Sequence, residues 1–255
     1  MDFRSFVAVG DSFTEGVGDD LPDGRVRGWA DLVAQGLALS AAPETVTYAN
    51  LAIRGRMLAP IVGPQMDAAI ELRPQLISIN GGGNDIMRPK VSIDDVASQL
   101  VAAADRAVAE GIHVLVISGA NPTKHLPMGA RIEARGDLLA EAVRAQLPRE
   151  GMTFVDNWAD AELADLRYWS RDRLHLAPRG HRRVASNILA ALDVPAPEFG
   201  PDHEDVSRPA TAAYWREYVL PWIGRRLTGR SSGDNREPKF ATLQPVELPG
   251  AVANG

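Results

Sequence analysis

The chain contains no cysteine. That single absence excludes disulfides, thiolate nucleophiles and cysteine-ligated zinc together. Histidine is scarce as well, five in 255 residues, with no HExxH or comparably close spacing. A metal would need scattered ligands, and neither a metal nor an organic cofactor is expected. There is no basic excess, since 27 Lys and Arg stand against 33 Asp and Glu for a formal charge of −6. Such a chain has no surplus with which to neutralise phosphates, so nucleic acid is not an expected partner. No apolar run reaches the ~18–20 residues of a membrane-crossing helix. Nucleotide-binding loops of the G-x-x-x-x-G-K-[ST] or G-x-G-x-x-G kind are also missing. The first apolar run begins near Ser5. If Met1 is the natural start, that leaves no room for a secretory leader, and a cytoplasmic location is expected.

What is present reads as α/β. Five short apolar runs recur, at residues 6–9, 46–49, 76–79, 114–117 and 153–155. Each is continuous rather than alternating in polarity, as strands buried on both faces are. Helical spacing fills the intervals at 28–39, 93–110, 132–147 and 179–192. Strands alternating with helices predict a parallel sheet covered on both faces. Pro60, Pro64 and Pro74 punctuate the second crossover, so its helix should be short or irregular.

The folded domain is placed at 1–194, where Val194-Pro195-Ala196-Pro197 breaks the last helix. Residues 195–227 read as a polar linker and then an amphipathic helical arm. Tyr214, Trp215, Tyr218, Leu220, Trp222, Ile223 and Leu227 form its apolar side, with a kink expected at Pro221. Arg225 and Arg226 suit the negative end of a helix dipole. The aromatic side is expected to pack on the same chain. From 228 to 255, Gly, Ser, Pro and charge dominate, and the tail is expected to be disordered.

Chemistry enters where the first run stops, at Gly10-Asp11-Ser12. A hydroxyl at the C-terminal end of the first strand lies where open α/β sheets place their sites. Serine is a poor nucleophile until a base takes its proton. Asp172-Arg173-Leu174-His175 offers such a base, with a carboxylate three residues earlier to hold the far ring nitrogen. Between the two lie candidate anion binders. Gly55 lets a ligand approach its amide closely, and Asn84 presents an amide after Gly81-Gly82-Gly83. Singly, each has a commoner structural reading as a turn, a helix cap or a surface histidine. Their combination carries the functional one.

Four blocks of the chain resemble the SGNH hydrolases, the GDSL-type esterases and lipases. They are Gly10-Asp11-Ser12, Asn50-Leu51-Ala52-Ile53-Arg54-Gly55, Gly82-Gly83-Asn84-Asp85 and Asp172-Arg173-Leu174-His175, in the family's order across residues 3–192. Phe13 replaces the leucine of the family's name at an apolar packing position. The resemblance implies a three-layer α/β/α sandwich whose five-stranded parallel sheet has the flavodoxin-like order 2-1-3-4-5. It implies Ser12 as nucleophile, Asp172 and His175 as the rest of a triad, and an oxyanion hole from the N–H groups of Ser12 and Gly55 and the amide of Asn84. The implied reaction is hydrolysis of a small-molecule carboxylic ester through an acyl-enzyme on Ser12, with His175 as base and no cofactor.

The loop at 85–91 is short and no long lid is evident. A shallow site for short acyl or acetyl groups is therefore expected, with Trp29, Met57, Met87 and Arg88 as candidate walls. Two alternatives stand beside hydrolysis. One is an acyltransferase that passes the same acyl group to an alcohol, and the other a catalytically silent binding module recruited through the C-terminal arm. The G-x-S-x-G run at 229–233 is set aside because no strand precedes it. Among the other histidines, His113 reads as structural, His125 as a surface loop residue, His181 as solvent-facing and His203 as part of the linker.

Overall fold

The apolar runs form the centre of one sheet. The structure, a computed structural model, describes residues 2–126, 129–147, 149–199, 211–221 and 233–248. Strands β1 (Ser5–Val9), β2 (Thr47–Asn50), β3 (Leu76–Ile79), β4 (His113–Ile117) and β5 (Met152–Val155) pair in parallel. Val7 lies between Ala49 and Ile77, and Ile77 lies beside Val114, so the centre of the sheet is aliphatic. The helices are α1 (Ser12–Glu15), α2 (Trp29–Ala41), α3 (Leu58–Pro60), α4 (Met66–Glu71), α5 (Gly83–Ile86), α6 (Ile93–Ala109), α7 (Gly129–Arg144), α8 (Pro178–Ala191) and α9 (Thr211–Tyr214).

Alternate residues of β1 feed two separate cores. Phe6 and Ala8 pack with Trp29, Leu32 and Leu37 of α2 and Val184 and Ile188 of α8. Val7 and Val9 pack with Met66 of α4, Val96 and Leu100 of α6 and Val143 of α7. The result is three layers, with the two-residue strand period sending side chains to opposite faces. Local chemistry agrees with the boundaries. Ser92 caps α6 by accepting the Asp95 N–H at 3.2 Å, and Pro178 opens α8 in the first turn, where a missing N–H is harmless. The proline-rich crossover is irregular: between α3 and α4, residues Ile61–Gln65 form a π-helical turn around Pro64.

The sheet order is β5-β4-β3-β1-β2-β6, so the five parallel strands follow the expected 2-1-3-4-5. The sixth is a correction. β6 (Phe240–Pro245) pairs antiparallel with β2, inside the tail expected to be disordered. The physical reason is the edge: β2 would otherwise present a row of unpaired backbone groups. Phe240 meets the Tyr48 ring edge-on at 5.9 Å. Beside it, the Lys239 ammonium donates to Asp31 at 2.7 Å and to the Val26 carbonyl at 2.8 Å.

In the C-terminal arm, α9 runs into a π-helical turn, Trp215–Val219, and Tyr214 and Val219 are buried. The linker residues 200–210 with His203, the arm positions Trp222, Ile223, Arg225, Arg226 and Leu227, residues 229–232 of the set-aside motif, and 249–255 lie outside the described residues. No described helix is long and apolar enough to cross a membrane.

Candidate active site

β1 stands between β2 and β3, the point where chain connections leave in opposite directions and where open α/β sheets leave a crevice. Ser12 begins α1 there. Asp11 caps that turn, its Oδ1 accepting the Phe13 N–H at 3.1 Å. Its other oxygen accepts from Asn84 Nδ2 at 3.0 Å, and the same amide donates to the Arg56 carbonyl at 2.9 Å. Gly55 adopts φ +75°, a left-handed conformation that favours glycine. The chain before it is held by Glu15, which accepts the Arg54 N–H at 2.6 Å and pairs with the Arg54 guanidinium. Among the described residues, neither the Ser12 N–H nor the Gly55 N–H has a protein acceptor.

The second half comes from the turn before α8. Asp172 Oδ2 lies 2.6 Å from His175 Nδ1. Asp172 Oδ1 accepts the N–H groups of Leu174 and His175, each at 2.9 Å, and the Ser170 hydroxyl at 2.7 Å. Arg173 takes φ +59° to close this turn. Burial would push the Asp172 carboxyl up, but the His175 ring and these hydrogen bonds outweigh it and hold it well below the usual range. Burial likewise opposes the charged form of His175, yet the Asp172 carboxylate wins and its pKa is raised. An ionised carboxylate only accepts, so in the neutral ring Nδ1 carries the proton and Nε2 keeps its lone pair.

Ser12, Gly55, Asn84, Asp172 and His175 all border one cavity of about 680 Å³. Among the described residues no hydrogen bond joins the Ser12 hydroxyl to the ring. Catalytic contacts of this kind often tighten only when substrate arrives. Met57, Met87 and Arg88 line the same cavity, as expected of walls. Trp29 does not: it is wholly buried, its ring 5.7 Å from that of Phe13. His181 is a second correction. Rather than facing solvent, it lies on the inner side of α8 with Val184 and Ile188 and is wholly buried. Its Nδ1 accepts the Trp29 N–H at 3.2 Å and its Nε2 donates to the Val17 carbonyl at 3.3 Å. Burial lowers its pKa to about 4. His125 is half-buried on the Ala164 carbonyl, and His113 bonds Thr153.

Three features escaped the sequence. Asp11 is buried beside Ser12, and burial raises its pKa to about 6. Its place in a Gly-Asp-Ser turn was visible, but its bond to Asn84 was not. Tyr214, Trp215 and Tyr218 of the C-terminal segment border the cavity, with the Arg173 guanidinium 4.3 Å from the Tyr214 ring centre. No local pattern tells an aromatic that packs on a core from one that walls a site. Nor is the site shallow, because the cavity reaches α7 at Leu139, Ala140 and Val143.

A sequence model of the GDSL-like lipase/acylhydrolase family matches residues 8–183. A comparison with curated protein sequences found no match. Several crystal structures share the fold. A lipase from a goat rumen metagenome, Lip_vut3, is 18% identical with a TM-score of 0.62, over 73% of this chain and 96% of that one. TesA is 24% identical with a TM-score of 0.59, over 74% and 97%. Axe2, an acetylxylan esterase from Geobacillus stearothermophilus, is 17% identical with a TM-score of 0.59, over 77% and 97%. The C-terminal segment at 211–221 and β6 both lie beyond the stretch matched to the family.

Proposed function

This chain belongs to the GDSL-like lipase/acylhydrolase family and is a serine ester hydrolase, and on that premise we propose that Ser12 is its nucleophile and His175 its general base. The observation that carries the reading is the 2.6 Å contact between Asp172 and His175 Nδ1, on the cavity that Ser12 also borders. With Nδ1 protonated and held, Nε2 can take the Ser12 proton as the hydroxyl oxygen attacks the ester carbonyl. The carbonyl oxygen then becomes an anion. Among the described residues the N–H groups of Ser12 and Gly55 have no competing acceptor, so they can turn to it without breaking a bond. Asn84 would exchange one of its two acceptors, the Arg56 carbonyl or Asp11, for the same oxygen.

Collapse of the tetrahedral species expels the alcohol, which takes the proton from His175 and leaves the acyl group on Ser12. His175 then removes a proton from water, which attacks the acyl-enzyme and releases the acid. Among esters, an acetyl group would fill only the mouth of a cavity this deep.

The test is Ser12→Ala, assayed with p-nitrophenyl esters and with a fluorophosphonate label located by peptide mapping. Wild type should be labelled on Ser12, and the variant should lose both labelling and turnover. A variant that hydrolyses at the wild-type rate overturns the assignment.

A further inference from the structure

A β-turn can be built with its central peptide facing either way, and glycine at its third position accepts both forms. Residues 53–56 make such a turn. The Arg56 N–H donates to the Ile53 carbonyl at 3.4 Å, and Gly55 at φ +75° marks the type II form. Its central peptide joins Arg54 to Gly55. That peptide is planar and trans, so its N–H and its carbonyl point in opposite directions. A flip to the type I form would exchange them and carry the proposed oxyanion donor to the other face of the turn.

Something outside the turn must therefore choose. Glu15 fixes only the preceding peptide, through the Arg54 N–H. The central one is met by the C-terminal segment. Gly233 is buried there, and a β-carbon on it would collide with the Arg54 carbonyl oxygen, so bare backbone lies on that oxygen. With the oxygen against Gly233, the Gly55 N–H points away from the segment. Gly55 borders the cavity and Gly233 is no part of its wall. Three residues on, the Arg236 guanidinium approaches Glu15 at 3.8 Å, so the segment also touches the carboxylate that holds Arg54.

Beyond these contacts the segment is anchored. Lys239 reaches Asp31 and the Val26 carbonyl. In β6, Phe240 lies opposite Asn50 and against the Tyr48 ring. Leu243 packs on one core, and Phe240 and Val246 on the other. Asn50 carries this pairing towards the site. Its amide donates to the Thr14 carbonyl of α1 at 3.0 Å, and its oxygen accepts the Ala52 N–H at 3.1 Å. β6 thus backs the strand end that holds both the Ser12 helix and the Gly55 loop. All of the segment lies beyond residues 8–183, the stretch matched to the family.

We propose that residues 233–246 form a strap that locks the Arg54–Gly55 peptide with its N–H towards the ester oxygen, and that Gly233 is its positioning residue. The proposal rests on the oxyanion-hole reading above and goes further, because it gives the C-terminal segment a part in the reaction. Substrate meets only Gly55, and Gly233 acts through it.

The test is Gly233→Ala in the full chain, assayed with p-nitrophenyl butyrate and counted per active site titrated with a fluorophosphonate. The added β-carbon must push the Arg54 carbonyl aside and swing the N–H with it. Per-site kcat should fall by roughly 10-fold or more, short of the ~10²–10³ that outright loss of an oxyanion donor costs. KM should change little, and the midpoint of the pH–kcat profile should stay at its wild-type value, because the Asp172–His175 turn is untouched. A merely structural role would lower Tm and the number of titrated sites but leave per-site kcat alone. Arg236→Glu is the second variant, at a half-exposed side chain whose replacement does not endanger the fold. A like charge beside Glu15 should lower per-site kcat by about two- to five-fold, the range of an exposed pair. Added salt should recover part of that loss. An unchanged per-site kcat in Gly233→Ala overturns the strap, and where that variant does not fold, an unchanged kcat in Arg236→Glu does so. Wild-type labelling on Ser12 then leaves the acyl-enzyme reading standing, and failure of Ser12 to label overturns both.

Discussion

The phenol of Tyr214 donates to the main-chain carbonyl of Asp172 at 3.2 Å, and the Arg173 guanidinium lies over the same ring at 4.3 Å. A residue 42 positions downstream thus braces the turn whose carboxylate orients His175. The turn needs bracing, since Arg173 holds a left-handed conformation that a residue with a β-carbon seldom adopts. Burial raises the pKa of Tyr214, so its hydroxyl stays protonated and able to donate.

Tyr214→Phe should therefore lower kcat by several-fold with little change in KM, the scale of one lost hydrogen bond of about 1 kcal/mol. Tyr214→Ala, which also removes the ring from under Arg173, should cost more. A purely structural role would lower the amount of folded enzyme and leave its pH dependence alone. Bracing of Asp172 predicts instead that the midpoint of the pH–kcat profile falls in Tyr214→Ala as the Asp172–His175 contact loosens. An unshifted midpoint counts against this coupling.

The pH profile itself follows from His175. Its pKa is raised, since Asp172 outweighs the burial that opposes its charge. With His175 as the proposed base, turnover needs the neutral ring, so the rate should rise with pH through a midpoint above the ~6.5 of a free imidazole. Asp172→Asn removes the raising influence and leaves the burial, which moves the midpoint below that of wild type. It also loses the anion that fixes the tautomer, so kcat should fall by ~10³–10⁴. Steady-state kinetics from pH 5 to 9 on both proteins decide the matter, and equal midpoints would remove Asp172 from its orienting role.

Much of this site was legible because its parts are local. Asp172 and His175 share one turn, and Ser12 and Asn84 each follow a strand within a few residues, so short motifs record them. The inner sheet was legible for the same reason, through the continuous runs that become β1 to β5. What the sequence hid depends on distance along the chain. β6 is mostly exposed, with only Phe240 and Leu243 partly buried, and nothing local says that it pairs with β2. His181 looked like a polar residue at a helix start, and only the position of α2 puts it inside. The depth of the cavity is a property of Leu100, Val116, Phe154 and Ala140, which come from four different elements, and no local pattern says that side chains so far apart in the chain leave a space between them.

Lys239 tests the structural worth of the added edge. Burial raises the pKa of Asp31, with the Lys239 ammonium opposing it, and the pair keeps only slight exposure, 14% and 19% for the two side chains. Lys239→Met leaves the carboxylate without its partner, which should destabilise the fold by roughly 1–3 kcal/mol, less than for a fully buried pair because some solvent reaches it. Lys239→Met combined with Asp31→Asn should recover part of the loss, because no unpaired charge remains. Urea melts of the four proteins measure the cycle, and additive losses would mean that the pair contributes nothing.

His181 predicts how the fold responds to acid. It is wholly buried, and burial sets its native pKa at about 4 against ~6.5 for an exposed imidazole. Between these values the unfolded chain binds a proton that the native state refuses, so stability rises with pH in that window and is lost as the pH falls from 6.5 towards 4. The native ring accepts from the Trp29 N–H and donates to the Val17 carbonyl, and a protonated ring could not accept the first. Its share of the loss between pH 7 and pH 4 should be about 3 kcal/mol. His181→Gln keeps one donor and one acceptor but does not titrate. Its unfolding free energy should therefore fall less steeply with acid than that of wild type, even where the variant starts from a lower value at pH 7. Urea melts at pH 7, 6, 5 and 4 give both slopes, and parallel curves would show that this buried imidazole is not what acid attacks.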